Sequence, residues 1–425
     1  MELNNPHVDL NKPPGERLEF VFPRIWAAFL LLLIGVTFPL WLDVAEILGE
    51  RAAMPSVSLL GPNVTLPAAI DLPVTLGLVI ALGLIVIKSG RQRFAWWSVA
   101  ALLAVAFIAD HQRLQPWAYQ SALYAILFAA LPVGRMRTYL LLPAASVYVF
   151  SALGKLDFQF THTVGLDFLT AIVSPFLDSF AQWDIDVRSR LAFLFPTMEL
   201  VLGIGLVVPA TRRYAAVGIV LMHATLIAIL GPWSLGHSLG VLIWNVLLAV
   251  QAWLLFFRWN DSDRSKRQQT NRPTHTSPHL WAARIAVAIF LLAPLLERRG
   301  YWDHWLSWSL YSPHTSRVEI EIHRSSVDAV GPTAEIFLQP DHDGDGWRRL
   351  SIADWSLATR NVPIYPQARF QLSLAIQLAR EADIQDGIRA QVKSVSDRWT
   401  GRREIIRLLG RDELEAHAKR YWLVW

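Results

Sequence analysis

The stretch TYLLLPAASVYVFSALGKLD, residues 138–157, decides the fold because its apolar run is as long as a membrane-spanning helix. A helix needs roughly 20 apolar residues to cross the hydrocarbon core of a bilayer. Lys155 stands where this helix should end. A lysine at that place either extends its ammonium to the membrane surface as an anchor or is shielded from water and does chemistry.

The composition of the whole chain is that of a membrane protein. Of its 425 residues, 53% are hydrophobic and only 17% are charged, and the mean hydropathy is +0.32. These values are too apolar for an ordinary soluble protein. The chain has no cysteine, which excludes disulfides, thiol nucleophiles, iron–sulfur clusters and thiolate zinc sites. The net charge of +4 includes no basic cluster typical of nucleic-acid binding.

Apolar runs of spanning length recur along the chain and predict an all-α polytopic membrane bundle of about nine transmembrane helices. They lie near residues 25–42, 72–88, 94–109, 117–131, 138–154, 191–210, 214–230, 239–257 and 280–296. A shorter apolar piece, DFLTAIVSPFLDSFAQW, contains a proline and two aspartates. We predict that its residues 168–183 form an interfacial or re-entrant segment.

The basic residues of the short loops predict the orientation, because such loops are enriched in lysine and arginine on the cytoplasmic side. They fall before the first predicted span and after every second one, whereas the loop at 231–238 has none. They are Arg17, Arg24, Lys88, Arg91, Arg93, Arg135, Arg137, Arg212, Arg213, Arg258, Arg264, Lys266, Arg267 and Arg272. We therefore expect a cytoplasmic N-terminus, an uncleaved first span and an exported C-terminal region in a cell inner (plasma) membrane protein.

Three parts of the chain follow from this topology: a cytoplasmic tail at 1–24, the transmembrane bundle at 25–297 and an extracytoplasmic domain at 298–425. The last part alternates in RVEIEIH and AEIFLQP, a pattern that predicts strands. Helical spacing follows in QARFQLSLAIQLAREA and RREIIRLLGRDELEAHAKRYW. These patterns predict a small α+β domain.

The segment DHDGDGW resembles the first half of a calcium-binding loop. Asp341, Asp343 and Asp345 alternate, and Gly346 suits the sharp turn. The bidentate glutamate of such a loop is missing, because Ile352 occupies its place. A polar turn between two strands is the favoured interpretation, and a calcium site is the alternative.

Ionisable residues at membrane depth are costly and are candidates for function. Lys155 ends the fifth predicted span, while Glu199 and His223 lie inside the sixth and seventh. Each of these either packs as a satisfied polar residue or belongs to a site. Asp110 and His111, in the exported loop ADHQRLQPW, form either a solvated turn or part of a ligand site.

Four segments, read in order, resemble the vitamin K-dependent gamma-carboxylase and its bacterial HTTM-type relatives. They are PWAYQSALY, YVFSALGKLDFQFTHTVGLDFLTAIVSPFL, LMHATLIAILGPWSLGHSLG and DHWLSWSLYSPHTSRVEIEI. In that family a span ends in a small residue, a lysine and Leu-Asp, and this lysine is the catalytic base. The family also has a cytoplasmic N-terminus and an exported C-terminal domain.

The resemblance implies that Lys155 is a general base, with Gln120 and His223 beside it, and that a reduced quinone of the vitamin K type is the cofactor. A lysine shielded from water is more easily a neutral base, since burial disfavours charge. The activity implied is that of a quinone-dependent carboxylase or oxygenase, a lyase or an oxidoreductase. The predicted ligand-binding residues are Trp117, Tyr119, Tyr124, Asp110, His111, Glu199 and Trp308.

Two positions depart from the family pattern. Gln120 replaces an active-site histidine, and Tyr119 replaces the asparagine before it. A glutamine side chain forms hydrogen bonds but takes up no proton near neutral pH. The protein is therefore expected either to catalyse a quinone reaction or to bind a quinone or other lipid without carboxylating glutamate.

The segment PTMELVLGIGLVVPATRRYAAVGIVLMHATL also resembles the DoxX and methylamine-utilisation membrane proteins, which serve redox systems. This second resemblance implies a redox-accessory or assembly protein without its own catalysis. A transporter is a third interpretation, although the chain shows no inverted repeat. The expected partners are the lipid bilayer, a quinone and a redox or secreted protein, and no nucleic acid.

Overall fold

The computed structural model describes residues 14–64, 66–88, 92–132, 134–258 and 278–421. Each apolar run predicted to span the membrane is helical over most of its length. The helices are α1 (Pro14–Val36), α2 (Asp71–Ile87), α3 (Arg93–Ala109), α4 (Pro116–Ala130), α5 (Met136–Lys155), α6 (Leu194–Val207), α7 (Arg212–Leu230), α8 (Leu239–Ala252) and α9 (Pro278–Leu292). Helix α1 begins well before the predicted start at residue 25.

Seven helical stretches of the described residues are long and apolar enough to cross a membrane. They are Leu18–Val36, Ala68–Ile87, Met136–Lys155, Ile185–Val207, Arg212–Leu230, Leu239–Arg258 and Pro278–Arg299. The other two predicted spans are shorter, because α3 has 17 residues and α4 has 15. The protein is thus a helical membrane protein whose described residues include seven helices of spanning length.

Helix α4 is the centre of the bundle. All of its side chains except Ala122 and Ile126 are buried, and a helix that is apolar all round is typical of a core. It packs against α3 on one side and α9 on another, while α5 packs along α6 and α7 along α8. The prolines Pro116 and Pro143 lie at the first turn of α4 and inside α5.

The segment predicted to be re-entrant forms two short elements. Val164–Val173 is an α-helix of 10 residues, and Asp178–Gln182 is a short 3-10 helix. Neither reaches the roughly 20 residues that a single crossing needs. Phe176, between them, is 89% exposed.

The C-terminal region holds one antiparallel sheet of strands β1 (Arg317–His323), β2 (Trp347–Leu350), β3 (Ile388–Lys393) and β4 (Ile405–Leu409) in the order β2-β1-β3-β4. Its helices are α10 (Ile352–Arg360), α11 (Ala368–Glu381) and α12 (Gly410–Ala418). Ile320 pairs with Leu350 on one side and Ala390 on the other. The buried face of β1 packs on α11, so this part is α+β as predicted.

Two of the local predictions in this region are wrong. The segment AEIFLQP is not a strand, because Gly331 at φ +85° and Pro332 begin a short helix, Pro332–Glu335, and only Leu338 bridges to Leu350. The segment IIRLL, residues 405–409, is strand β4 and not helix. Its backbone pairs with the edge of strand β3. The helical periodicity of the sequence does not reveal that this edge is available.

Candidate functional site

Lys155 is buried in the bundle. Its Nζ donates to Ser151 Oγ at 2.7 Å, one helical turn earlier on α5, and to Glu199 Oε2 of α6 at 2.6 Å. Lys155 and Glu199 are only 7% and 8% exposed. The ammonium therefore points into the protein and forms an ion pair, which a snorkelling anchor does not do.

Close approach of α5 and α6 makes this pair possible. A Cβ atom at Gly203 would lie 3.1 Å from Tyr148 Cβ and 3.2 Å from the Val149 backbone nitrogen. At Gly154, beside Lys155, a Cβ atom would lie 3.0 Å from the Oγ atoms of Ser309 and Ser312. Glycine at both places lets α6 and the C-terminal region pack tightly around the lysine.

His223 belongs to a second chain of hydrogen bonds. Its Nδ1 lies 2.9 Å from Asn245 Oδ1, and its Nε2 lies 3.1 Å from the Tyr148 hydroxyl. Asn245 Nδ2 donates to Val241 O, which leaves the Asn245 oxygen to accept a hydrogen bond from His223 Nδ1. In the neutral imidazole with its proton on Nδ1, Nε2 accepts from the Tyr148 hydroxyl.

These two groups of residues line one small cavity of about 30 Å³, enough for about one or two water molecules. Its lining includes the polar residues Tyr148, Ser151, Lys155, Glu199, His223, Asn245 and Tyr311. An amine, a carboxylate, a phenol and an imidazole in one enclosed space can transfer protons. The structure therefore brings Lys155, Glu199 and His223 to one cavity.

A larger cavity of about 290 Å³ adjoins the small one. It lies between the start of α4, the start of α8 and two segments of the C-terminal region, near residues 305–315 and 362–366. Trp244, Leu310 and Tyr311 line both cavities and form the wall between them. Trp117, a predicted ligand-binding residue, is also in the lining.

Gln120 lies behind the shared wall and lines neither cavity. Its Oε1 accepts from Trp244 Nε1 at 3.2 Å, and its Nε2 donates to Gln251 Oε1 at 3.3 Å. The Tyr124 hydroxyl donates to the same Gln251 oxygen at 2.9 Å. Gln120 thus fixes the Trp244 ring by a direct hydrogen bond, and Tyr124 belongs to the same hydrogen-bonded group through Gln251.

Tyr119 and Trp308 form an aromatic stack outside the two cavities. The ring of Trp308 lies nearly parallel to Phe290 with the centroids 5.2 Å apart, and Tyr119 lies 5.3 Å from Trp308. Trp308 is fully buried. Offset stacking of this kind stabilises a core. Tyr119 and Trp308, both predicted to bind a ligand, therefore pack in the core next to the cavities and do not line them.

Asp110 and His111 attach the C-terminal region to the bundle. Asp110 accepts from Arg360 Nη1 at 2.6 Å, and His111 Nε2 lies 3.3 Å from an Asp303 oxygen that also accepts from Arg369 at 2.6 Å. Burial, together with the nearby Arg369 charge, lowers the pKa of His111 to about 4. Neither Asp110 nor His111 lies in the cavities, so the structure gives them a role in holding the two parts together.

The carboxylates of Asp341, Asp343 and Asp345 lie together in an exposed turn. Asp341 accepts from the backbone nitrogens of Gly344 and Gly346, and Asp345 pairs with Arg389 at 2.8 Å. These contacts are those of a self-capped polar turn before β2.

Sequence reasoning missed several residues of the site. Tyr148, Ser151 and Lys155 recur at helical spacing on one face of α5, a signal that could have identified the first two. Asn245 is a polar residue in an apolar helix, which is itself a signal. Trp244 and Tyr311 gave no such signal, because tryptophan and tyrosine are common in membrane proteins.

A comparison of the chain with known protein families, with curated proteins and with solved structures finds no match. The geometry of the cavities and of their polar residues is therefore what indicates a function for this protein.

Proposed function

We propose that this membrane protein binds a quinone-like lipid in the large cavity and that Lys155 deprotonates its polar head. One observation carries the proposal: an apolar cavity shares a wall with a small cavity that contains a buried lysine, carboxylate and histidine. An amphipathic ligand fits this arrangement when the side chains of the shared wall move aside, since its ring and tail match the apolar walls and its hydroxyl group would then face Lys155.

The lining of the large cavity supports a neutral ligand. Within the part of the chain that the structure describes, this lining contains no Asp, Glu, Lys or Arg. The aromatic rings of Trp117, Trp244, Trp305 and Tyr311 are suited to contact a planar ring. A charged ligand would lose its hydration there without gaining a partner, which favours a reduced quinone.

The ion pair of Lys155 and Glu199 can accept one proton. As the ligand O–H bond breaks, Lys155 passes one of its ammonium protons across the 2.6 Å hydrogen bond to Glu199, and the amine lone pair that this frees takes up the ligand proton. The products are a ligand oxyanion beside an ammonium and a neutral carboxylic acid. The ammonium stabilises the oxyanion, and Tyr148 and His223 extend the proton path from the same cavity.

A redox-accessory function without catalysis is the second candidate, and the hydrogen bonds of Gln120 favour it. Gln120 takes up no proton and is held by Trp244 and Gln251, so the acid–base residue that the carboxylase has there is missing. In this case the protein binds the quinone and exchanges electrons through a redox partner without turnover of its own.

The proposed topology has nine spans, in which α3 and α4 also cross the membrane, with the N-terminus in the cytoplasm of a cell with an inner (plasma) membrane. The basic loop residues support this orientation. The C-terminal sheet and the large cavity then lie at the outer surface, where a secreted or redox protein partner has access.

The test is binding and turnover with purified protein. We expect the protein in detergent to bind a reduced menaquinone, ubiquinone or vitamin K in a titration of its tryptophan fluorescence and to consume oxygen with it. Lys155→Arg should keep binding but lower turnover by about 10²–10⁴-fold, since arginine keeps its proton. Lys155→Ala should be no worse than Lys155→Arg.

Lys393→Arg is the matched control, because Lys393 pairs with Glu319 at the sheet, away from both cavities. It should leave binding and turnover unchanged. Absence of quinone binding by the wild-type protein would refute the proposal. Binding without oxygen consumption, together with a co-purifying redox protein, would establish the accessory function instead.

A further inference from the structure

Three buried side chains converge where the last membrane helix ends. Glu297 Oε1 accepts from His314 Nε2 at 2.8 Å and also from His304 Nδ1. The candidate ligand atoms of the three residues lie within 4.8 Å of one another, and exposure is 5% for Glu297, 1% for His304 and 0% for His314. We propose that Glu297, His304 and His314 bind a divalent transition-metal ion.

The donor set indicates the class of metal. Two imidazole nitrogens and one carboxylate oxygen suit Zn²⁺, Fe²⁺ and similar ions, whereas Ca²⁺ and Mg²⁺ prefer oxygen ligands. In the hydrogen-bonded arrangement both imidazole protons point at a single carboxylate oxygen. A metal ion placed among the three atoms replaces those two protons and interacts with all three ligands at once.

The surroundings are compatible with a bound cation. In the form that binds a metal, with both imidazoles neutral and the carboxylate ionised, the three ligands carry one negative charge. Two arginines lie nearby. Arg298 Nε is 3.9 Å from Glu297 Oε2, and Arg298 pairs with Asp157 at 3.1 Å. Arg403 donates to the carbonyl oxygens of Pro313 and Thr315, on either side of His314, at 2.6 and 2.8 Å. The Ser316 backbone nitrogen donates to His304 Nε2 over 3.3 Å. Metal binding at His304 Nδ1 moves the remaining proton to Nε2 and gives up this one long contact.

The position of the cluster suggests what the metal does. His304 and His314 lie just outside the two ends of the segment 305–313, and this segment contributes Trp305, Ser309, Leu310, Tyr311, Ser312 and Pro313 to the large cavity. Within it, Trp308 and Tyr311 have left-handed backbones at φ +60° and +54°, a strained conformation for large side chains. A metal ion that also binds Glu297 fixes both ends of this segment to the last membrane helix.

The test measures metal in the full-length protein, purified through a tag that contains no histidine. The protein is incubated with Zn²⁺, or with Fe²⁺ without oxygen, freed of excess metal by gel filtration and measured by mass spectrometry of the elements. We expect about one ion per chain, and roughly tenfold less in Glu297→Gln and in the double variant His304→Gln/His314→Gln. Asp343→Asn, which alters the exposed acidic turn, is the control and should keep the full metal content.

A second measurement needs no variant and covers the case in which the variants do not fold. Removal of the metal from wild-type protein with a chelator should lower its melting temperature, and re-addition of the same ion should restore it. Co²⁺ should give visible absorption bands that are lost in His314→Gln. The proposal is overturned if folded wild-type protein retains none of these ions, or if the ion remains in the double variant. Either result can occur whether or not the protein binds a quinone.

Discussion

The ion pair between Lys155 and Glu199 predicts a large energetic coupling. At 2.6 Å and an effective dielectric constant of 20, two unit charges attract by about 6 kcal/mol. Much of this offsets the cost of removing the two charges from water. Replacing only one partner leaves the other unpaired in the bundle, so Lys155→Met or Glu199→Gln alone should each cost about 3–5 kcal/mol.

The double variant Lys155→Met/Glu199→Gln should recover most of that loss, because it leaves no buried charge. Because each single variant loses about 3–5 kcal/mol and the double variant loses little, we expect a coupling free energy of about 6–10 kcal/mol from the double-mutant cycle. The assay is denaturant unfolding of the four purified proteins in the same detergent. Ser151→Ala, which removes one hydrogen bond to Lys155, is the control and should cost only about 1 kcal/mol.

The same four proteins separate a structural role from a chemical one. If the pair is a base, the double variant should be about as stable as the wild type and yet inactive with a reduced quinone. A coupling free energy below about 0.5 kcal/mol would refute the buried ion pair. Full activity in the stable double variant would refute the role of Lys155 as a base.

Three further predictions follow from other parts of the structure. Gly203→Ala should destabilise the protein by about 1–3 kcal/mol in the same unfolding assay, because the added Cβ atom would contact helix α5. Gly83→Ala in α2 is the control. An added Cβ atom there has nothing within 4 Å, so this variant should be neutral or slightly stabilising. His111 takes up a proton near pH 6.5 when unfolded but only near pH 4 when folded, so stability should be complete above pH 6.5 and fall by about 3 kcal/mol as the pH falls to 4. Reporter fusions after residue 270 should be cytoplasmic and fusions after residue 330 exported.

Each of these predictions has an outcome that contradicts it. Equal stability of the two glycine variants would show that α5 and α6 do not need a glycine between them. The pH prediction fails if melting temperatures of wild type and His111→Gln decline in parallel between pH 6.5 and 4. Reporters that give the same side at both fusion points would remove the last span from the proposed topology.

The sequence by itself determined the membrane helices of this protein. Bilayer thickness acts on each segment separately, so a run such as 138–154 predicts a helix without knowledge of its neighbours. The alternation in RVEIEIH likewise predicted β1, because one face of a strand is buried. The resemblance of local motifs singled out Lys155 and His223 by their residue type and their position in the chain. It did not indicate which side chains they contact.

Tertiary structure decided what those residues contact. Lys155 meets Glu199 across two helices that approach at Gly203, and Trp244 separates two cavities that no single segment defines. Asp110 lies far from Arg360 in sequence and yet forms an ion pair with it. The strand β4 likewise formed from a helix-like pattern because β3 offered a free edge. Such pairings depend on which segments pack together, and a pattern within one segment contains no information about its partners.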